Sequence, residues 1–87
     1  MATELVVRGR VQGVGFRYAT AERARRHSVR GWAANRADGS VEVVLEGPSA
    51  GVEAVAAFCR RGPRGAWVEG VEAHERAVTG LTGFRTL

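Results

Sequence analysis

Short β-branched runs alternate with two alanine-rich, helix-like segments along this chain, and that order restricts the possible folds more than any other feature. The first run, Leu5–Gly9, has the pattern of a short buried strand. The segment Tyr18–His27 lacks glycine and proline, which favours a helix. A second helix is predicted to begin with Ser49 as its N-cap and to stop at Gly62-Pro63. The remaining strands are predicted at Val29–Asn35, at Val41–Glu46, around Trp67, Val68 and Val71, and at Phe84–Leu87.

The resulting order is βαββαβ with a short additional strand at the end. Two helices and a largely antiparallel sheet in this order predict an α+β sandwich of the ferredoxin-like kind, with both helices on one face of the sheet. At 87 residues the chain has room for one hydrophobic core. We therefore expect a single domain spanning residues 1–87.

Composition narrows the classes of protein further. Apolar residues make up 45% of the chain and charged residues 25%, an ordinary balance for a globular domain. No apolar run is long enough to span a bilayer, and Met1–Glu4 has no basic segment followed by an apolar one. We therefore expect a cytoplasmic protein without a membrane segment. Cys59 is the single cysteine, which excludes an internal disulfide.

The charge balance is positive. All 13 basic residues are arginines, and the net charge is +4. Such an excess favours anionic partners, including phosphorylated metabolites and nucleic acid. The absence of lysine is equally compatible with the base composition of the source genome, so charge alone does not select a partner.

The densest chemical signal is the glycine bend, Gly9–Arg17, between the first predicted strand and the first predicted helix. Glycines let successive backbone N–H groups point into one concavity, and the helix start adds its own free N–H groups. Arg17 can supply a forked donor to two phosphate oxygens. A glycine turn with a solvent-exposed arginine is the alternative interpretation. The candidate phosphate-binding residues are Gln12, Gly13, Val14, Gly15, Phe16 and Arg17.

Residues at fixed positions exclude several other phosphate-binding and metal-binding classes. Tyr18 stands where a dinucleotide-binding fingerprint needs its third glycine, and a nucleotide-binding P-loop requires a lysine that the chain lacks. A cysteine phosphatase would place its nucleophile six residues before the arginine, at Val11, so no phosphocysteine can form there. His27, His74 and Cys59 are scattered along the chain, and we predict no metal site.

A second signal, Gly31–Gly39, contains Asn35 at the end of a predicted strand. Asparagine is favoured near hairpin turns, which would give it a purely structural role. Asp38-Gly39 already supplies that turn, whereas a neutral amide with donors and an acceptor is suited to orienting a water. Asn35 is therefore a candidate catalytic residue together with Arg17.

The two segments together resemble the two signatures of the acylphosphatase family, in the right order and at the right separation. The second segment has the family's Gly-aromatic-small-x-Asn pattern, and the resemblance continues through Glu46-Gly47-Pro48 and Cys59–Pro63. The family's fold is ferredoxin-like, which agrees with the element order. The residues of the glycine bend that match the family pattern are Gly9, Val11, Gln12, Gly13, Val14, Phe16 and Arg17.

The resemblance implies hydrolysis of carboxyl-phosphate anhydrides to a carboxylate and inorganic phosphate, without a metal, a cofactor or a phosphoenzyme. By the same resemblance, Arg17 corresponds to the family's phosphate-binding arginine and Asn35 to its water-positioning asparagine. The chain departs from the family at Ser28, where a glycine is common, and at Ala34, which replaces a frequent polar neighbour of the asparagine. A left-handed serine costs about 1 kcal/mol more than a glycine, which affects local stability and not the catalytic pair.

Two other functions stay open on the same fold. An RNA-recognition domain would carry stacking aromatics on its central strands, whereas Val41–Glu46 has no aromatic and two acids. An anion-binding or regulatory module without turnover is the second alternative; such segments occur fused to other domains, and this chain ends at Leu87. We expect a monomer without nucleic-acid or membrane partners that binds a small acyl phosphate and releases inorganic phosphate.

Overall fold

The computed structural model describes every residue from Met1 to Leu87. Its elements, in chain order, are β1 (Ala2–Arg10), α1 (Phe16–Arg26), β2 (Arg30–Asn35), β3 (Val41–Glu46), α2 (Ser49–Arg61), β4 (Trp67–Glu75) and β5 (Phe84–Thr86). The strands form one sheet in the order β4-β1-β3-β2-β5. Every neighbouring pair is antiparallel except β2 and β5, which run parallel, so the sheet is mixed. The predicted ferredoxin-like architecture is confirmed. Neither helix is long and apolar enough to cross a membrane.

The hydrophobic core lies between one face of the sheet and the two helices. Leu5 and Val7 of β1 belong to it, whereas Glu4 and Arg8 lie on the other face, as the period of two along a strand requires. Both helices contribute to the same core, so they cover the same face. The buried core residues are Leu5, Val7, Val11, Phe16, Ala21, Ala24, Val29, Ala33, Val41, Val43, Leu45, Val52, Val55, Ala56, Phe58, Cys59 and Phe84.

β1 is longer at both ends than the predicted run Leu5–Gly9. It begins at Ala2 because its pairing with β3 reaches Glu46 and its pairing with β4 joins Thr3 to Glu75. Hydrogen bonding to two neighbouring strands therefore determines where β1 starts, and the apolar content of the segment does not.

Both helices begin at positions different from those predicted. Pro48 is the N-cap of α2, and its carbonyl accepts a hydrogen bond from the Val52 N–H at 2.9 Å. Ser49 is the first helical residue and no side chain caps this helix, so the prediction that Ser49 caps α2 is wrong. Proline fits the extended backbone required before a helix because its φ is fixed near the observed −58°. α1 begins at Phe16, after the N-cap Gly15, and is longer at its start than predicted.

α1 is followed by a left-handed residue, Ser28, at the position where the acylphosphatase family commonly has a glycine. Ser28 has φ 56° and is the only non-glycine residue with a positive φ. The Val29 N–H donates to the Ala24 carbonyl at 2.8 Å, and the Ser28 N–H donates to the Arg25 carbonyl at 3.3 Å. These are the two hydrogen bonds of a Schellman C-cap, in which glycine is the preferred left-handed residue. Ser28 therefore carries local strain that glycine would not.

Replacing Ser28 with glycine is expected to raise the free energy of unfolding by about 0.5–1 kcal/mol, because the left-handed penalty exceeds the extra unfolded-state entropy of glycine. Denaturant unfolding at neutral pH measures the change. Ser28→Ala is the matched control, since alanine also has a Cβ and should bring no gain. Equal stabilisation in both variants would show that the backbone conformation is not the cause.

The segment 76–83 carries the chain from β4 at one edge of the sheet to β5 at the opposite edge. It is anchored by the Glu46 carboxylate, which is fully buried at the end of β3 on the face away from the helices. This carboxylate accepts hydrogen bonds at 2.8–2.9 Å from the N–H groups of Thr79–Leu81, and the Arg30 guanidinium lies 3.9 Å from it. The anchored segment places β5 beside β2.

Candidate active site

The glycine bend presents a row of unpaired backbone donors. Gly13 and Gly15 have φ values of 75° and 77°, in the left-handed region that glycine adopts without strain. None of the backbone N–H groups from Gln12 to Tyr18 donates a hydrogen bond within the protein. Consecutive free N–H groups at the start of a helix create a local environment that favours an anion. The predicted phosphate-binding residues Gln12, Gly13, Val14, Gly15, Phe16 and Arg17 all lie in this bend.

Arg17 is half-buried in the first turn of α1 and is held against the end of the chain. Its Nη1 donates to the Leu87 carbonyl oxygen at 2.5 Å, and the Leu87 N–H donates to the Ala33 carbonyl oxygen at 2.9 Å. Ala33 and Asn35 are two residues apart on β2, so their side chains leave the same face about 7 Å from each other. The structure thus brings the two predicted catalytic residues, Arg17 and Asn35, to one end of the helix-covered face.

Asn35 is the last residue of β2 and pairs with Val41 of β3. It is exposed, and its side chain takes no part in closing the β2–β3 hairpin. Asp38 does so instead: its Oδ1 accepts hydrogen bonds from the Ser40 N–H at 3.0 Å and from the Ser40 hydroxyl at 2.5 Å. The turn therefore does not require Asn35, and the amide is available to a water or a ligand.

The side chain of Gln12 has a structural role that the sequence analysis missed. Its Nε2 donates to the carbonyl oxygens of Arg36 at 2.8 Å and Ser40 at 2.9 Å, at the neck of the β2–β3 hairpin. The glycine bend is thereby tied to the residue that follows Asn35. The only sequence signal was a long amide side chain among glycines and valines, and its partners lie 24 and 28 residues away.

An ion-pair network holds the same hairpin from the face opposite the helices. The Arg8 guanidinium lies 3.1 Å from the Asp38 carboxylate and 3.1 Å from that of Glu72. Hydrogen bonds from Ser40, aided by the one from Arg8, hold the pKa of Asp38 far below its usual range. The hydrogen bonds to Glu72 and Asp38 raise the pKa of Arg8. Arg8 and Asp38, which are both exposed, are therefore charged at neutral pH.

The other side chains that could react or bind a metal ion do not form a second site. Cys59 is buried beside Thr20, and burial raises the pKa of its thiol to about 12, so the thiol is neutral and unreactive. No three His, Cys, Asp or Glu side chains are grouped so that they could hold a metal ion. The largest cavity, of about 390 Å³, lies between α2 and the β1–β4 edge, and no residue of the glycine bend lines it.

The fold and the site define a small α+β domain that offers backbone amides and a guanidinium to an anion, with a carboxamide nearby. The chain matches the family model described as Acylphosphatase over residues 3–86. It belongs to the acylphosphatase family and is a hydrolase of acyl phosphates.

Relatives match along most of the chain. An acylphosphatase from Nitrobacter hamburgensis is 54% identical over 69 residues, which cover 79% of this chain and 70% of that protein. An acylphosphatase from Gloeobacter violaceus is 48% identical over 81 residues, which cover 93% of this chain and 87% of that protein. The crystal structure of an acylphosphatase from Bacillus subtilis superposes with a TM-score of 0.94 at 33% identity, covering 99% of this chain and 97% of that one.

Proposed function

We propose that the glycine bend and Arg17 bind the phosphoryl group of an acyl phosphate, and that Asn35 orients the attacking water. The observation that carries this proposal is the unbroken run of unpaired N–H groups from Gln12 to Tyr18. The guanidinium and the carboxamide lie at the same end of the sheet as this run. A phosphoryl dianion needs several converging donors, and donors fixed by the backbone need little reorganisation during the reaction.

In the proposed reaction the water oxygen attacks phosphorus from the side opposite the acyl oxygen. The bond between phosphorus and that oxygen breaks, and the carboxylate leaves with the bonding electron pair. The amides of the bend and Arg17 stabilise the negative charge on the phosphoryl oxygens. The carboxylate is a weak base that departs without prior protonation, so the site needs no histidine or carboxylic acid. The water proton passes to a phosphoryl oxygen or to the departing carboxylate of the substrate.

The proposed reaction requires no metal ion or other cofactor. The groups assigned to the site are backbone N–H groups, a guanidinium and a carboxamide, all of which can donate hydrogen bonds directly to phosphoryl oxygens. None of the assigned side chains is a carboxylate, the ligand that usually holds Mg²⁺ beside a phosphate. The donor set therefore suits direct contact with the anion.

Turnover of benzoyl phosphate tests the proposal, with p-nitrophenyl phosphate as a poorly activated control. We expect rapid hydrolysis of the first and much slower hydrolysis of the second, because an ester oxygen is a poorer leaving group than a carboxylate. Activity on benzoyl phosphate should be unchanged after treatment with EDTA. A loss of activity that a divalent cation restores would contradict the metal-independent mechanism.

We further propose that the chain acts as a monomeric, single-domain, cytoplasmic enzyme without nucleic-acid or membrane partners. All the assigned site residues come from one chain, and the reduced thiol of Cys59 fits a reducing compartment. On the sheet face away from the helices, β3 carries Glu42 and Glu46 and no aromatic residue, unlike an RNA-stacking surface. Gel filtration and filter binding at physiological salt test the oligomeric state and the absence of nucleic-acid binding.

A further inference from the structure

The side-chain amide of Gln12 has both of its hydrogen-bond donors occupied. Nε2 carries two protons, and the carbonyl oxygens of Arg36 and Ser40 lie 2.8 Å and 2.9 Å from it. Because both partners are acceptors, the amide must present its nitrogen to them. Only the side-chain oxygen is left, and an acceptor cannot bind a phosphoryl oxygen. The side chain of Gln12 is therefore not a phosphate donor, even though its backbone lies in the glycine bend.

The two carbonyls define the neck of the β2–β3 hairpin. The Arg36 N–H donates to the Ser40 carbonyl at 2.9 Å, directly beyond the last strand pair, Asn35 with Val41. The Gln12 amide bonds to the carbonyls of both neck residues at once. Its position thus fixes the start of the proposed phosphate site relative to the residue next to Asn35.

We propose that the Gln12 side chain is a positioning residue for the hydrolytic reaction: it sets the distance between the phosphate-binding bend and the water-orienting Asn35. This inference rests on the proposed function. The attacking water must sit in line behind phosphorus, so a shift of the hairpin by a fraction of an ångström misplaces the water while leaving the phosphate contacts in place. The Gln12 side chain acts through Asn35 and contacts no reacting atom.

The hairpin has other ties that should keep it folded when the Gln12 bonds are removed. Asp38 closes the turn onto Ser40, and Arg8 binds Asp38 from the opposite face of the sheet. A variant of Gln12 should therefore fold and lose only the link between the hairpin and the bend. Met is the best replacement, because it keeps the length of the side chain and lacks the two donors.

The test is a double-mutant cycle of Gln12→Met and Asn35→Ala, measured with benzoyl phosphate and with inorganic phosphate as inhibitor. We expect Gln12→Met to lower kcat about tenfold and to leave the inhibition constant for phosphate within about twofold. In the Asn35→Ala background, Gln12→Met should bring no further loss of kcat, because the residue it positions is absent. Gln12→Asn, which is too short to span both carbonyls, should behave in the same way and serves if the methionine variant does not fold.

Arg8→Met is the matched control, since it removes an ion pair from the hairpin turn but keeps the Asp38–Ser40 hydrogen bonds and the Gln12 bonds to the neck. Its kcat should stay within about twofold of the wild-type value. Three outcomes overturn the inference: kcat unchanged in a folded Gln12 variant, independent losses that multiply in the double mutant, or the same loss and coupling in Arg8→Met. If Asn35→Ala itself leaves kcat unchanged, the proposed role of Asn35 fails as well. Failure of the proposed role of Asn35 can be told apart from failure of the inference about Gln12, because the single Asn35→Ala variant reveals it by itself.

Discussion

Replacing Arg17 with lysine is expected to lower kcat/KM for benzoyl phosphate by about 100-fold, and replacing it with alanine by about 1,000-fold. A guanidinium presents its N–H groups as a planar fork that matches two oxygens of one phosphoryl group. In this protein the Leu87 carbonyl accepts one of those donors and fixes the orientation of the fork beside the glycine bend. Lysine has a single nitrogen, so it cannot keep the bond to Leu87 and also span two phosphoryl oxygens.

Steady-state kinetics and inhibition by inorganic phosphate measure this effect. Because the same donors contact the bound phosphate and the transition state, affinity for phosphate and turnover should weaken together. Arg23→Lys is the matched control on the same helix: its guanidinium lies 4.4 Å from the centre of the Phe58 ring, in the packing between the helices. Its kcat/KM should stay within about twofold of the wild-type value. Full activity in a well-folded Arg17→Lys variant would show that the forked contact is not needed.

The parts of the site that could be predicted from the sequence are those that depend on local backbone chemistry. Gly13 and Gly15 adopt left-handed conformations that few other residues tolerate, so a bend with exposed amides follows from the glycines themselves. Asp38-Gly39 forms the expected turn, so the turn does not require the Asn35 side chain. The locations of these features were therefore fixed by residues within a few positions of one another.

The parts that could not be predicted depend on the register of distant strands. The Gln12 amide meets carbonyls 24 and 28 residues away, and Glu46 meets N–H groups 33 to 35 residues away. No periodic pattern within one segment carries that information. The N-cap of α2 was predicted wrongly for a different reason. The capping rules favour serine side chains, whereas here the Pro48 carbonyl accepts the first helical hydrogen bond and no side chain caps the helix.

Glu46 is the residue for which we expect the largest effect on stability, and Glu46→Gln should lower Tm by on the order of 10 °C. The N–H groups of Thr79–Leu81 all point at its two carboxylate oxygens. In glutamine one of these oxygens becomes an NH₂ group, so at least one buried donor faces another donor. The hydrogen bond from the Thr79 N–H contributes most to lowering the pKa of Glu46, and those from Leu81 and Gly80 add to it against the opposing effect of burial.

The pH dependence of this loss of Tm shows whether it depends on the ionised carboxylate of Glu46. A carboxyl group with a lowered pKa in the folded state stabilises the protein fully above its unfolded pKa of about 4.3, and that contribution disappears as the pH falls through the folded pKa. The difference in Tm between the wild type and Glu46→Gln should therefore be constant near neutral pH and should narrow below about pH 4.5. Thermal unfolding from neutral to acidic pH measures it.

Glu42→Gln is the matched control, on the same strand and the same face of the sheet. Burial and the neighbouring Glu4 raise the pKa of Glu42, so its charged form opposes folding at neutral pH, and its replacement should leave Tm unchanged or raise it. The same substitution is thus expected to lower Tm at position 46 and not at position 42, because only the Glu46 carboxylate is paired with backbone donors. If both variants lower Tm equally and neither difference narrows in acid, the anchoring of segment 76–83 by Glu46 is not what stabilises this end of the sheet.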